Sequence, residues 1–261
     1  MSNDNKEFYD LLNTLAHEQT FSLQLTPNES GTQSTISCKA LNTAQLKELI
    51  ETIVDSPFTQ ASFNSTVTRI FKQSLLTSTD VSLNAIDRLL FIIETRIQSL
   101  SPTTIITEEE DQILIDFQEI KAKLDQEFKN QSTLFVSSSA TDGKISITFG
   151  PALLDAEAQL NEEIYKNANP NVEDPEDLRK ILGDAFINEI AKAVRTVTIA
   201  EKTLDLSTVT FKSRLKTIES LPASLIQKVI EYIEGYKKII DECLTIKGHT
   251  VSIDGSLFSL R

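Results

Sequence analysis

Apolar positions along this chain follow two rhythms. Phe8, Leu11, Leu12 and Leu15 fall at helical spacing over residues 6–16, and Phe21, Leu23 and Leu25 then alternate with polar neighbours. The pattern predicts a short leading helix followed by a strand. Pro27, Asn28, Ser30 and Gly31 are turn chemistry, and Ile36, Cys38 and Ala40 resume the two-residue period. Together they predict a β-hairpin with one buried face, on which Cys38 is a small hydrophobe. Three helices are expected next. Asn42 with Gln45 forms a capping pair ahead of Leu46, Leu49, Ile50, Ile53 and Val54, and Pro57 ends that helix. Val67, Ile70, Phe71 and Leu75 stripe the second, and Ile86, Leu89, Leu90, Ile93 and Ile97 the third. The third is apolar from Leu89 to Ile93 and is expected at the centre of this half, with Arg88 and Arg96 on a solvated edge.

Ser101, Pro102 and Thr103 interrupt the pattern. Thr107 with Glu110 then resembles a capping box for a helix whose first turn holds Glu108, Glu109, Glu110 and Asp111, acids suited to the positive end of the helix dipole. Ile113, Phe117, Ile120, Leu124 and Phe128 continue it as one amphipathic stripe with an unspecified partner. A second hairpin is expected from Leu134 and Val136 through Asp142 and Gly143 to Ile145, Ile147 and Phe149. Beyond Gly150 and Pro151 the chain reads as mainly helical. An acidic loop from Asn167 to Asp174 precedes Pro175, placed as a first helical residue, and that loop reads as a plain loop before a calcium site. The helix it opens carries Leu178, Ile181, Leu182, Ala185, Ile190, Val194 and Val197. Val209, Leu215 and Ile218 mark the next helix. Ile226, Val229, Ile230, Ile233 and Ile240 mark the last, with Pro222 in its first turn and Gly248 at its end.

The expected fold class is therefore α+β, helix-rich, with two small β-hairpins and no parallel sheet. The expected organisation is a hairpin-plus-helices unit over 1–102, an acidic connecting helix over 103–130, and over 131–261 a hairpin followed by a mainly helical domain with a short terminal strand. The tail, with Val251, Ile253, Leu257 and Phe258, is too apolar for a loose end and is expected to be tied down. Those four are the candidate partner-contact residues, and removing 251–261 is expected to impair docking or stability.

Charge narrows the functional classes. The 261 residues carry 38 acidic against 25 basic side chains, a formal net charge of -13. Affinity for phosphate backbones rests on Lys and Arg, so no nucleic-acid partner is expected. No apolar run is long enough for a membrane span. The polar start lacks a secretory signal, which points to a cytoplasmic protein and leaves the sequons at Asn28, Asn64 and Asn130 as coincidences.

Candidate chemistry is sparse. Cys38 and Cys243 stand far apart outside any CxxC pair, and His17 and His249 are isolated, read as a helix-end and a turn residue, so no metal is expected. Gly143 and Lys144 fail the Walker pattern, which needs Gly where Ser138 stands and a hydroxyl where Ile145 stands. Ser213 and Lys216 have the Ser-x-x-Lys spacing of some acyl enzymes but lack its companion motifs. The junction at Pro222 reads as an αα-hairpin before a helix-turn-helix. With no catalytic residues and no cofactor, the chain is expected to be non-enzymatic.

The order of elements adds a resemblance. Phe21-x-Leu23-x-Leu25 leads into Lys39 to Leu41, then Phe63-Asn64-Ser65-Thr66-Val67, Asp80-Val81, Asp87-Arg88-Leu89-Leu90-Phe91-Ile92 and Arg96-Ile97-Gln98-Ser99. Leu221-Pro222-Ala223-Ser224-Leu225-Ile226, a long helix through Tyr232 and Tyr236, and a closing Val251 to Phe258 segment follow. This layout resembles the baseplate hub subunit family of T-even-type contractile-tailed phages, which also includes a hub assembly protein. It covers residues 18–102 and, more loosely, 145–261. Members carry a Cys-containing segment after the Arg-x-x-Ser helix end, where this chain has its acidic stretch from Thr107 to Lys129. The resemblance implies a tail protein working through protein–protein contacts with other baseplate hub or tape-measure proteins in a hetero-oligomer. It would act in the host cytoplasm during assembly and in the virion tail baseplate, and the family has no established catalytic residues to carry over. The alternatives are a tail assembly chaperone absent from the mature virion and a regulatory binding protein unrelated to tails.

Overall fold

Alternation in the first hairpin translates directly into a two-sided ribbon. In the computed structural model, which describes residues 19–28, 32–52, 59–76, 82–108, 111–167 and 175–258, β1 (Thr20–Gln24) pairs antiparallel with β2 (Thr35–Lys39). Phe21 lies opposite Cys38 and Leu23 opposite Ile36, all four buried, while Thr20, Ser22 and Gln24 face solvent. The leading helix expected over 6–16, His17, Pro57 and the loop before Pro175 lie outside the described residues. The Asn42–Gln45 capping box opens α1 (Thr43–Glu51) as expected, followed by α2 (Thr59–Ser74) and α3 (Ala85–Ser99). Every residue of α3 from Ile86 to Arg96 is buried, so it is the central helix. Phe91 stacks on Phe71 at 4.4 Å between ring centroids and leans on Phe21 at 6.2 Å.

A second capping box, formed by Asn84 and Asp87, starts α3 and ties the first hairpin to it. The Thr26 N–H and hydroxyl both donate to Asp87 Oδ1 (2.8 and 2.9 Å), and the Asn84 N–H donates to Oδ2 at 2.9 Å. Burial pushes the Asp87 carboxyl above its usual range, and these donors oppose the shift. Replacing Asp87 by Ala strands two buried N–H donors and a hydroxyl, and an expected loss of about 2–4 kcal/mol follows. A raised folded-state pKa means the native chain holds this proton more tightly than the unfolded one. Its contribution is therefore fullest below the ordinary carboxylate pKa and declines as pH rises through the folded value. Urea unfolding at acid and neutral pH should show the Asp87→Ala deficit larger at acid pH.

The acidic stretch departs from expectation. Residues 103–108 and 111–116 are extended. They form a hairpin of β3 (Thr103–Glu108) and β4 (Asp111–Asp116), and helix begins only at α4 (Phe117–Asn130). The Thr107–Glu110 capping box is thus overturned, because Thr107 lies within β3. Thr103, Thr104, Ile105, Ile106 and Thr107 are all β-branched, stiff in a helix and well suited to a pleated surface. Ile113 belongs with Ile115 on a strand face, and Asp116 supplies the true cap, accepting from the Gln118 N–H at 2.8 Å. The stripe Phe117, Ile120, Leu124 and Phe128 is as read and fully buried. Its partners belong to the same chain, so α4 is a core element instead of a connector.

The expected second hairpin is part of a larger sheet. β5 (Ser138–Asp142) and β6 (Ile145–Phe149) turn at Gly143 and Lys144, with Gly143 at φ +59° where a residue without Cβ is favoured. α5 (Leu154–Asn167) and α6 (Pro175–Ala193) follow, the latter opened by Pro175. The helix expected to run through Val197 stops at Ala193, and β7 (Val194–Ile199) and β8 (Lys202–Asp205) complete an antiparallel sheet in the order β5-β6-β7-β8. The misreading has a local cause. The register shifts where Thr148 faces Thr196 but Phe149 faces Val194, so an extra residue is accommodated and Val194 and Val197 both turn inward. Three residues apart, they imitate a helical period. Among the described residues there are four antiparallel sheets and no parallel pairing, which keeps the α+β class.

α7 (Phe211–Glu219) and α8 (Ala223–Leu244) form the expected αα-hairpin around Pro222, which caps α8. α8 ends at Leu244, four residues before the expected Gly248. That glycine instead joins Lys247 in the positive-φ turn between β9 (Thr245–Ile246) and β10 (His249–Thr250). A 3-10 turn over Gly255–Phe258 closes the described chain.

Two hydrophobic cores result. One gathers residues of β1 to α4 with Ile239, Cys243, Leu244, Ile246, Val251, Leu257 and Phe258. The other lies between the four-stranded sheet and α6, α7 and the first half of α8. α8 runs through both. Its Tyr232 packs edge-on to Phe149 and donates its hydroxyl to the Val136 carbonyl at 3.1 Å. Near the junction, Arg88 and Arg96 are buried, against the expectation of a solvated edge. Arg88 forms a bidentate pair with Glu157 of α5 and donates to Thr68 Oγ1 at 3.2 Å. Arg96 donates to the Ser101 carbonyl at 2.8 Å and lies over the Phe117 ring.

Candidate interaction surface

The groups that could have carried chemistry are placed structurally. Thr210 caps α7, its hydroxyl donating to Ser213 Oγ at 3.0 Å and accepting from the Ser213 N–H at 3.4 Å. Lys216, although one turn along, makes no bond to that hydroxyl. Cys38 and Cys243 are buried thiols pushed up to about 11, in each case chiefly by burial, so neither is a ready thiolate at neutral pH. His249 sits in β10 opposite Ile246, and Lys144 lies in the β5–β6 turn. No group of three or more His, Cys, Asp or Glu among the described residues is arranged to hold a metal ion.

The four tail residues singled out by their apolarity are also assigned. Val251, Leu257 and Phe258 are buried in the first core and Ile253 packs against it. The 3-10 turn lies on α1, and Gln60 Nε2 donates to the Ile253 carbonyl at 3.2 Å. The partner these side chains contact in the structure is the rest of their own chain.

Apolar side chains remain outside elsewhere. Ile105 and Leu114 face each other across β3 and β4 and are 52% and 53% exposed. Paired residues share a sheet face, and residues two apart return to it. Thr103, Gln112 and Asp116 therefore flank this pair, while Ile113 and Ile115 fill the opposite, buried face. The hairpin has one apolar face in the core and an apolar spot on the other. A second spot lies at a corner of the four-stranded sheet, where Ile199 (56%) and Leu204 (40%) extend the face that Val197 buries.

Charge is distributed unevenly along the β3–β4 sequence. The stretch from Thr103 to Asp116 contains Glu108, Glu109, Glu110, Asp111 and Asp116 and no Lys or Arg. Neighbouring cations are engaged elsewhere. Lys121 pairs with Glu94, Lys123 with Glu119 at 3.0 Å, and Arg96 with main-chain carbonyls. Sequence reasoning missed this face because the helix reading placed Ile113 on the same stripe as Phe117. The run of five β-branched residues from Thr103 was the signal that could have found it.

No helix among the described residues is long and apolar enough to cross a membrane. Compared with protein-family models, curated proteins and solved structures, the chain matches none.

Proposed function

We propose that this chain is a non-enzymatic protein of a contractile phage tail, a component or assembly factor of the baseplate hub that works by binding other hub or tape-measure proteins. The observation that carries the binding role is the outward-facing Ile105–Leu114 pair, since apolar spots rimmed by polar residues mark contact surfaces. The tail assignment itself rests on the sequence layout. In its support, the residues of that layout occupy determining positions in the fold: Asp87 anchors the first hairpin, Arg88 lies in the buried polar layer, and Phe63 and Val67 are core. A strongly acidic surface keeps such a subunit soluble until a cognate surface displaces water.

Mass spectrometry of washed virions, and of complexes captured through this chain during infection, tests the reading. Fixed stoichiometry in virions is the result expected of a component. Presence only in hub intermediates identifies an assembly chaperone. Recovery with neither tail nor tape-measure proteins overturns the tail assignment and leaves a regulatory binding protein.

A further inference from the structure

We infer that the free edge of β8, with the sheet corner beside it, is the docking site for an acidic, extended protein segment that adds a strand to the four-stranded sheet. The inference goes beyond the tail reading and holds whether or not that reading does. Register fixes what the site offers. Residues opposite one another share a sheet face and every second residue returns to it. Ile145, Ile199 and Lys202 therefore form one row on the helix-side face, and Ile147, Val197 and Leu204 form the next. Ile147 and Val197 are buried in the second core, whereas Ile199, Leu204 and Lys202 are exposed. Among the described residues β8 pairs with β7 alone, and all four of its residues are exposed. An edge strand of this kind carries unpaired main-chain N–H and C=O groups, the template for strand addition.

Charge decides the occupant. Lys202 stands on the same face as the exposed apolar pair, directly opposite Ile199. Lys144 is brought to the same corner because the Ala200 N–H donates to its carbonyl at 3.0 Å, and its side chain is exposed. Neither lysine enters an ion pair among the described residues. The nearby acids are largely committed. Asp142, at the far end of the Ile199 row, accepts from the Ser224 hydroxyl. Asp205 lies on the opposite face and accepts from the Ser207 N–H and hydroxyl at 2.8 and 2.7 Å. Glu201, in the β7–β8 turn, is outnumbered by the two lysines. The corner is a cationic, apolar spot on a chain of net charge -13, and complementary charge selects an acidic partner. A segment with an apolar and an acidic residue two positions apart covers Leu204 and pairs with Lys202. A second copy does not supply it. In a two-fold β8–β8 sheet a residue meets only residues of its own face, which for Lys202 are Ala200, Lys202, Leu204 and Leu206, none of them acidic. Nucleic acid finds two lysines here and no aromatic ring on which a base could stack.

A fluorescent peptide repeating Leu-Thr-Glu-Thr, titrated into the full chain and followed by anisotropy, tests this. Hydrogen exchange should show new protection over 202–205. Lys202→Glu, an exposed change that leaves the core untouched, should weaken binding by about tenfold or more. The same variant should bind a Leu-Thr-Lys-Thr peptide more tightly than the wild type does. Ile199→Ser with Leu204→Ser should weaken binding of the Glu peptide by about as much, with the melting temperature measured alongside. The Glu peptide with its amides N-methylated should not bind, since it has lost the donors that a strand needs. Equal affinity of wild type and Lys202→Glu, protection confined to other segments, undiminished binding of the methylated peptide, or no binding overturns the proposal. So does displacement of the peptide by a DNA oligonucleotide, or sedimentation of the wild type as a dimer that the Ser substitutions dissociate, because the occupant would then be nucleic acid or a second copy.

Discussion

A chain ending at Thr250 is expected to lose most of its stability, even though the described residues it removes, 251–258, include no α-helix or strand. Val251 and Phe258 are 2% and 1% exposed and Leu257 is buried beside them, all within the core built around α3. Fully burying side chains of this kind stabilises by roughly 1.5–3 kcal/mol each, so three together contribute about 4.5–9 kcal/mol. That is of the same order as the whole folding free energy of an ordinary domain, about 5–15 kcal/mol. The deletion also uncovers α1, on which the 3-10 turn lies. Urea unfolding is the measurement, and a midpoint unchanged from the full chain would show that the tail is dispensable. Phe258→Ala is the graded version, with an expected cost of about 3–5 kcal/mol from the transfer and cavity terms.

Arg88→Ala is expected to cost about 3–5 kcal/mol, because it leaves the Glu157 carboxylate buried without its partner. Glu157 is joined to Arg88 by two hydrogen bonds across 69 residues of sequence, and both side chains are only 8% exposed. The cost comes from the orphaned charge more than from the lost attraction. Replacing both residues by apolar ones of similar volume, Arg88→Met with Glu157→Leu, should therefore recover most of the loss. A double variant no better than Arg88→Ala would mean that the pair stabilises the chain by its own attraction.

Sequence legibility differed sharply between the two halves of this picture. β1 and β2, the capping box of α1, the buried α3, the stripe of α4 and the αα-hairpin around Pro222 follow from periodicities read within about a dozen residues. Two stretches misled for the same reason. Ile113, and Val194 with Val197, fall at spacings that continue a neighbouring helix, while the β-branched residues of 103–107 and 194–199 favour strands. The candidate surface was hidden with the first of these, since Ile105 and Leu114 come together only once β3 pairs with β4.

The sequence by itself determined the class of the protein: acidic, helix-rich, with antiparallel β elements and an apolar tail that must be covered. Those properties depend on composition and on which face of a local element is apolar. Only the tertiary structure decided where β-branched runs become strands, because β7 is held by pairing, across a register shift, with β6, a strand distant in sequence. It also decided that Arg88 is buried, because the carboxylate that makes burial tolerable comes from α5. And it decided that Val251, Leu257 and Phe258 serve the chain's own core, which leaves Ile105 and Leu114 facing out. Each of these outcomes requires a partner distant in sequence, and no local period carries that information.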